Sequence, residues 1–270
     1  MSPSEQVPGE EDMEKAILLA AGRGERMRVY SDYLPKAMLP AGAEPLIVNQ
    51  LHKMENHGFN EVIIVVEPLR GPIIKHAITT GYRGKLQIRY VSQEKPLGVG
   101  HALLLCREEV GNAPFLYCLA DEYQQSDTIF CVAKKRQWHN FDAFLNVKKF
   151  DEAVGSTGNL VVIDEKHRLV RQFVVRESKR VKSGDFVAIG ARLIVNVSWF
   201  FEILQNMWRR ARGTYLPAGL AIQEMIERNG KVGFNLDTGF CINVDTFDDF
   251  WKLTSWIIHN LQNSKRERKC

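Results

Sequence analysis

The chain has 270 residues, 45% of them hydrophobic and 25% charged, and a net charge of +4. This is the composition of an ordinary globular protein with ample length for a large α/β core, and no apolar run approaches the roughly 20 residues that cross a bilayer. The charge is uneven: residues 1–14 carry −5 and residues 263–270 carry +3, which leaves a mildly basic body suited to small polyanions.

In chain order, residues 1–13 read as a disordered acidic tail with no basic region ahead of an apolar core, and so not as a secretory signal. One domain is expected over 14–262, followed by a basic tail over 263–270. Residues 16–21 form an apolar run of strand length that feeds a glycine loop, Gly22 to Gly24. Leu46, Ile47, Leu51 and Met54 share one helix face that ends near Gly58. A buried strand is predicted over 61–67, a short helix over 73–78 stopped by Gly81, a strand over 86–91, a helix over 98–110 and a strand over 115–120.

This alternation predicts a mostly parallel central sheet with helices on both faces. Ligands of such sheets sit beyond the carboxyl ends of the strands, and Gly22 and Asp121 both occupy such ends. The second half is less regular. Strands are expected over 160–163, 169–175 and 188–195, with a polar loop over 176–185. Helices follow over 198–212, whose Trp199, Phe200 and Phe201 read as core, then over 218–228 and 246–261. The two halves are expected to share one core. The five cysteines form no Cys-x-x-Cys pair, and read as free thiols in a reducing, cytoplasmic setting.

Three stretches carry chemistry. The first runs Leu19-Ala20-Ala21-Gly22-Arg23-Gly24-Glu25-Arg26-Met27, with Leu34-Pro35-Lys36 downstream. Backbone N–H groups exposed by glycines make a concave anion site, and the Arg26 and Lys36 cations neutralise phosphate oxygens. The Walker pattern is absent, and Met27 stands where a third dinucleotide-fingerprint glycine would be. The second is Gln93-Glu94-Lys95-Pro96-Leu97-Gly98-Val99-Gly100-His101. The Gln93 amide can read a base edge, and Gly98 lets backbone approach a flat ring. His101 reads as a helix-start residue rather than a general base. The third is a pair of aspartates after apolar strands, Asp121 and Asp245. Magnesium typically takes one or two carboxylates together with phosphate oxygens. Asp249 reads as a helix cap with Thr246.

Taken together, Leu-Ala-Ala-Gly-x-Gly-x-Arg-Met with Pro-Lys, the Gln93–Gly98 spacing and Asp245-Thr246-x-x-Asp249 resemble the sugar-phosphate nucleotidyltransferases. Pro96-Leu-Gly-x-Gly-His-Ala102 looks most like their uridylyl- and thymidylyltransferase branches. The resemblance implies a Rossmann-like nucleotidyltransferase fold and transfer of a nucleotidyl group from UTP or dTTP to a sugar 1-phosphate. It implies Arg26 and Lys36 as catalytic residues, with Ala20, Ala21, Gly22, Gly24, Gln93 and Gly98 binding the nucleotide. Asp121 and Asp245 would hold Mg²⁺. Ala120 stands where the family often has glycine.

On the sugar side the resemblance implies Gly158 and Gly190. The family's Glu-Lys-Pro is altered here to Glu177-Ser178-Lys179, which leaves Arg176 or Lys179 to supply the charge. Other classes lack support: there is no Gly-x-Ser-x-Gly elbow, and no interleaving of basic and aromatic residues for nucleic acid. A homo-oligomer is allowed. Two alternatives stay open. One is a cytidylyltransferase acting on a non-sugar alcohol phosphate; the other is a catalytically silent nucleotide-sugar sensor.

Overall fold

The computed structural model describes residues 13–27, 30–31, 33–150, 158–175 and 181–267, with side chains to 262. The first strand, β1 (Lys15–Leu19), is buried on both faces after its first residue, as a continuous apolar run requires in a covered sheet. It ends two residues earlier than its apolar run, so Ala20 and Ala21 already belong to the loop. Two short strands, β2 (Pro40–Ala41) and β3 (Glu44–Pro45), lead into α1 (Leu46–Asn56). Then come β4 (Glu61–Val66), α2 (Gly71–Gly81) and β5 (Gln87–Ser92).

The helix expected over 98–110 is two. They are α3 (Val99–Leu105) and α4 (Arg107–Val110), with Cys106 N–H bonded to the Leu103 carbonyl at the break. β6 (Phe115–Leu119) and β7 (Glu122–Gln124) flank Asp121.

α5 (Thr128–Lys134), β8 (Ala143–Lys149) and β12 (Val232–Leu236) have no counterpart in the sequence reading. β9 (Asn159–Asp164), β10 (Leu169–Val174), β11 (Phe186–Ile194), α6 (Val197–Arg210) and α7 (Ala218–Glu227) fall where strands and helices are expected. β13 (Cys241–Asn243) and α8 (Phe247–Glu267) complete the described chain.

Nine strands make one sheet among the described residues, in the order β5-β4-β1-β6-β11-β8-β12-β10-β9. The stretch from β5 to β6 is parallel throughout, as the β-α-β rhythm predicts. Beyond β6 the parallel expectation fails. β11 runs antiparallel to both β6 and β8, and only β8 and β12 pair in parallel. Connectivity agrees with this: no helix is described between β9, β10 and β11, and β9 pairs antiparallel with both β10 and β11; antiparallel strands need no crossover.

Alternate residues of the central strands feed two cores. Ile17, Leu19 and Tyr117 face α3, α6 and α7, where Phe201 stacks on Phe115 and Phe200 meets it edge-on. Ala16, Leu18 and Leu116 face α1, α2 and α5. Each buried large apolar side chain contributes about 1.5–3 kcal/mol, and both cores draw residues from both halves of the chain.

Following the chain outward from β1, the sheet grows toward β4 on one side and toward β6 on the other. The crevice beyond the carboxyl ends of β1 and β6 is therefore the switch point where α/β sheets place ligands. A third cluster packs α8, through Leu253, against Met27, Leu39, Ala41, Leu46, Ile242 and Val244. It pins the segments that carry Arg26, Lys36 and Asp245. Cys106, Cys118 and Cys241 are buried free thiols and Cys131 is half-buried. Burial pushes the first three thiols up, away from reactivity.

Candidate active site

The glycine loop leaves β1 with the Ala20 N–H on the Val65 carbonyl and turns at Gly24, where φ is +68°. A Cβ on Gly24 would lie 3.0 Å from both Lys36 Cγ and Ser31 Cβ, so this glycine serves conformation and packing together. Gly22 differs. A Cβ there would meet no atom within 4 Å, and its backbone is outside the left-handed region. Within the described chain it is free to approach whatever enters the cleft.

Met27, Ala37 and Leu39 are buried anchors beside Arg26 and Lys36. They leave the two cations directed at the crevice. Lys36 Nζ donates to Asp121 Oδ2 and to Asp245 Oδ1, each at 2.9 Å, across 85 and 209 residues of sequence. Arg26 Nη2 reaches the same Asp245 oxygen at 2.8 Å. Lys36 and Asp245 are buried, while the Arg26 side chain stays 60% exposed. Burial lowers the Lys36 pKa, but the charges of Asp121 and Asp245 and their hydrogen bonds outweigh it and raise the pKa overall. The lysine is a fixed cation.

Three local devices position the carboxylates. The Val244 N–H bonds the Asp121 carbonyl, tying the two aspartate loops together. Buried Gln50 donates to the carbonyls of Leu119 and Glu122, on either side of Asp121, at 2.8 and 2.7 Å. Asp249 is the cap its spacing predicts. Its Oδ2 accepts from the Thr246 N–H and Oγ1 and from the Asp245 N–H, and its own N–H returns to Thr246 Oγ1. Asp249 therefore holds Asp245 through the backbone and is not itself in the crevice. Two carboxylates on one cationic point could also hold a hard metal ion, given ligand oxygens. Among the described residues no group of three or more His, Cys, Asp or Glu could do so alone.

A cavity of about 460 Å³ brings together Ala20, Ala21, Gly22, Gly24, Arg26, Lys36, Gln93, Gly98, Asp121 and Asp245. Gln93 is buried and donates through Nε2 to the Gly98 carbonyl at 3.2 Å, with His101 Nδ1 at 3.0 Å. His101 lies in the first turn of α3 and packs on Trp208, and burial lowers its pKa. Gly98, with φ +93°, has a second reason to be glycine. A Cβ would come within 2.5 Å of the Leu216 carbonyl oxygen. That carbonyl accepts from the Gly100 N–H, and the Leu216 N–H bonds Leu97, clasping two loops.

A second cavity of about 470 Å³ adjoins the first and shares Arg26, Val99, Leu119 and Tyr215 with it. Gly158 and Gly190 line neither. A Cβ on Gly158 would clash with Val187 and Ala188, and Gly190, with φ +56°, faces Gln124. Both are packed against protein atoms at these contacts. Arg176, Glu177 and Lys179 lie outside the described residues. The residues that do line this side, Tyr117, Asn159, Phe173, Arg192 and Tyr215, carry no motif and come from separate elements. Beneath the junction, burial pushes the Glu122 carboxyl up to about 7 against the attraction of Arg192.

The nucleotidyl transferase family profile matches residues 15–174. The chain is 25% identical over 224 residues to the bifunctional protein GlmU of Methanococcus vannielii, covering 82% of this chain and 50% of that protein. It is 32% identical over 109 residues to a glucose-1-phosphate thymidylyltransferase of Streptomyces griseus, 40% of this chain and 30% of the other. The chain thus spans half or less of the length of these relatives in the matched regions. A solved UDP-glucose pyrophosphorylase bound to UDP-glucose shares the fold, with a TM-score of 0.74 over 90% of this chain and 98% of the other at 19% identity. With its profile covering more than half of the sequence and its glycine loop, lysine and paired aspartates gathered in one crevice, the chain belongs to the nucleotidyl transferase family.

Proposed function

We propose that the two cavities are the two halves of a transfer site. UTP or dTTP enters the first and a sugar 1-phosphate the second, giving a nucleoside-diphosphate sugar and pyrophosphate. The observation that carries this reading is the convergence of Arg26, Lys36, Asp121 and Asp245 beyond the glycine loop, with Arg26 on the wall common to both cavities. The names of the relatives above agree with it.

An oxygen of the acceptor phosphate attacks the α-phosphorus. The new P–O bond forms as the bond from that phosphorus to the bridging oxygen breaks, and pyrophosphate leaves with the electron pair. The nucleophile is already an anion, so no general base is needed. Catalysis is alignment and charge neutralisation. The Lys36 ammonium has three donors. Two are held by Asp121 and Asp245, and the third is left for an α-phosphate oxygen. Arg26, exposed at the mouth, meets the departing pyrophosphate.

Asp121 and Asp245 would hold a magnesium ion together with phosphate oxygens, and the donor set fits that ion's habit of using one or two carboxylates. When bound, the ion supplies positive charge that screens the repulsion between two polyanions. Gln93 spends its Nε2 on Gly98 and His101, which leaves Oε1 as an acceptor. An acceptor suits the imide N–H of uracil or thymine and not the ring nitrogen of cytosine.

Pyrophosphate release with Mg²⁺, across the NTPs plus dTTP and a panel of sugar 1-phosphates, tests the proposal. Release is expected with UTP or dTTP and at least one sugar. Silence across the panel, or release only with CTP and a non-sugar alcohol phosphate, would overturn it.

A further inference from the structure

β11 is buried from Val187 to Ile194, yet it carries a guanidinium at Arg192. A cation buried in a strand is costly unless something neutralises it. Arg192 donates through Nη1 to the Gly190 carbonyl at 2.7 Å and lies over the Tyr117 ring, 5.6 Å from its centroid. Among the described residues it forms no ion pair, with Glu122 or with any other carboxylate.

The strand is also broken at this point. The register with β8 shifts between Ala188 and Arg192, and Gly190 takes a positive φ of 56°. Such bulges re-aim side chains beside functional sites. Here the side chain lines the second cavity, whose described lining residues include two arginines, Arg26 and Arg192, and no acidic residue. The other described walls are aromatic, aliphatic or small, with Phe173, Tyr215, Leu119 and Val175 beside Asn159. The electrostatics are those of an anion site built into an otherwise apolar pocket. A guanidinium with most of its donors uncommitted offers the planar fork that matches a phosphate or carboxylate.

We propose that Arg192 reads negative charge on the acceptor: the second cavity binds a sugar phosphate with an anionic group seated against this guanidinium. This rests on the reading of the paired cavities as a nucleotidyl-transfer site. The anion is either the reacting 1-phosphate or a carboxylate elsewhere on the sugar, and binding distinguishes the two. Calorimetric titrations of UTP or dTTP, of glucose 1-phosphate and of glucuronic acid 1-phosphate are compared for the wild type and Arg192→Met.

The nucleotide affinity is expected to hold, while at least one acceptor weakens about 10- to 100-fold, the loss of a charge-assisted contact. Weakening of both acceptors assigns Arg192 to the 1-phosphate. Weakening of the uronic acid alone assigns it to the carboxylate. Unchanged affinity for both, or a wild type that binds nucleotide and neither acceptor, overturns the proposal and leaves the nucleotide site standing. Failure of the wild type to bind nucleotide as well as acceptor overturns the wider reading and this one together. Arg192→Gln removes the charge and keeps a polar head. If the Met variant does not fold, equal acceptor affinity of the Gln variant and the wild type is the overturning result.

Discussion

The two adjoining cavities differ in how they are made. The first is built from loops at strand ends, each a contiguous run of sequence: Ala20 to Arg26, Gln93 to Gly98, and Ala120 with Asp121. The second is built from the interior of the sheet and a helix start, with one residue each from β9, β10 and β11 and two each from β6 and the start of α7. A loop that must wrap a polyphosphate needs consecutive backbone N–H groups and glycines, so it leaves a string in the sequence. A pocket floor needs only one side chain per strand, so it leaves no string.

That contrast can be broken most severely at Lys36. Replacing it by Met removes the cation that Asp121 and Asp245 share and leaves Arg26 alone on Asp245, which is buried. Turnover should fall by about 10³ or more, and stability by about 3 kcal/mol, measured by pyrophosphate release and by urea unfolding. Near-normal turnover would remove Lys36 from the chemistry. Asp121→Ala comes next. It should abolish turnover yet leave the circular dichroism and unfolding midpoint close to wild type, because this carboxylate opens to the crevice. Full activity in that variant would sink the assignment of Asp121 to a metal.

Two glycine substitutions sharpen the comparison within the first cavity. Gly98→Ala places a Cβ against the Leu216 carbonyl at a left-handed backbone position, and should cost about 1–3 kcal/mol of stability. Gly22→Ala meets no protein atom, so it should leave the melting temperature alone and weaken NTP binding. Identical behaviour of the two in melting and titration would mean that Gly22 too is only structural.

Tyr215 stands on the shared wall. Tyr215→Ala should raise the KM for nucleotide and for acceptor together, by about tenfold or less, whereas Arg192 variants should move the acceptor alone.

The smallest effect lies away from both cavities. Burial raises the Asp237 pKa, but hydrogen bonds from Asn146, Gln124, the Gly239 N–H and Thr128 outweigh it and hold it below its ordinary value. The unfolded chain then binds this proton more readily than the folded one, so the contribution is present above about pH 4 and is lost as pH falls. Asp237→Asn should flatten the fall in melting temperature between about pH 5 and 3; an unchanged slope would assign that fall to other carboxylates.

Much of the fold was legible wherever one period of hydrophobicity ran unbroken. β1, β4 and β6 stand close to their expected positions because strands covered on both faces must be apolar throughout, and the edge strand β5 and the amphipathic helix α1 also fall near theirs. α5, β8 and β12 were not legible. β8 carries Asn146 among its buried residues, and that amide is paid for by Asp237 and Asn235 in distant segments. Gly158 and Gly190, expected on the sugar side, line neither cavity among the described residues. Each glycine is required by a contact inside the protein, which a sequence cannot distinguish from a contact with ligand.

The sequence by itself determined the parallel half of the sheet, the glycine loop after β1, the Gln93–Gly98 segment and the two aspartates with their cap. Each is local, set by consecutive residues whose backbone and side chains do the work together. Only the tertiary structure decided that Lys36 would stand between Asp121 and Asp245, that Gln50 would hold the loop around Asp121, and that a buried arginine would meet the second cavity. Those are meetings of single side chains from remote segments. Their partners are chosen by sheet order and helix packing, and no periodicity along the chain records them.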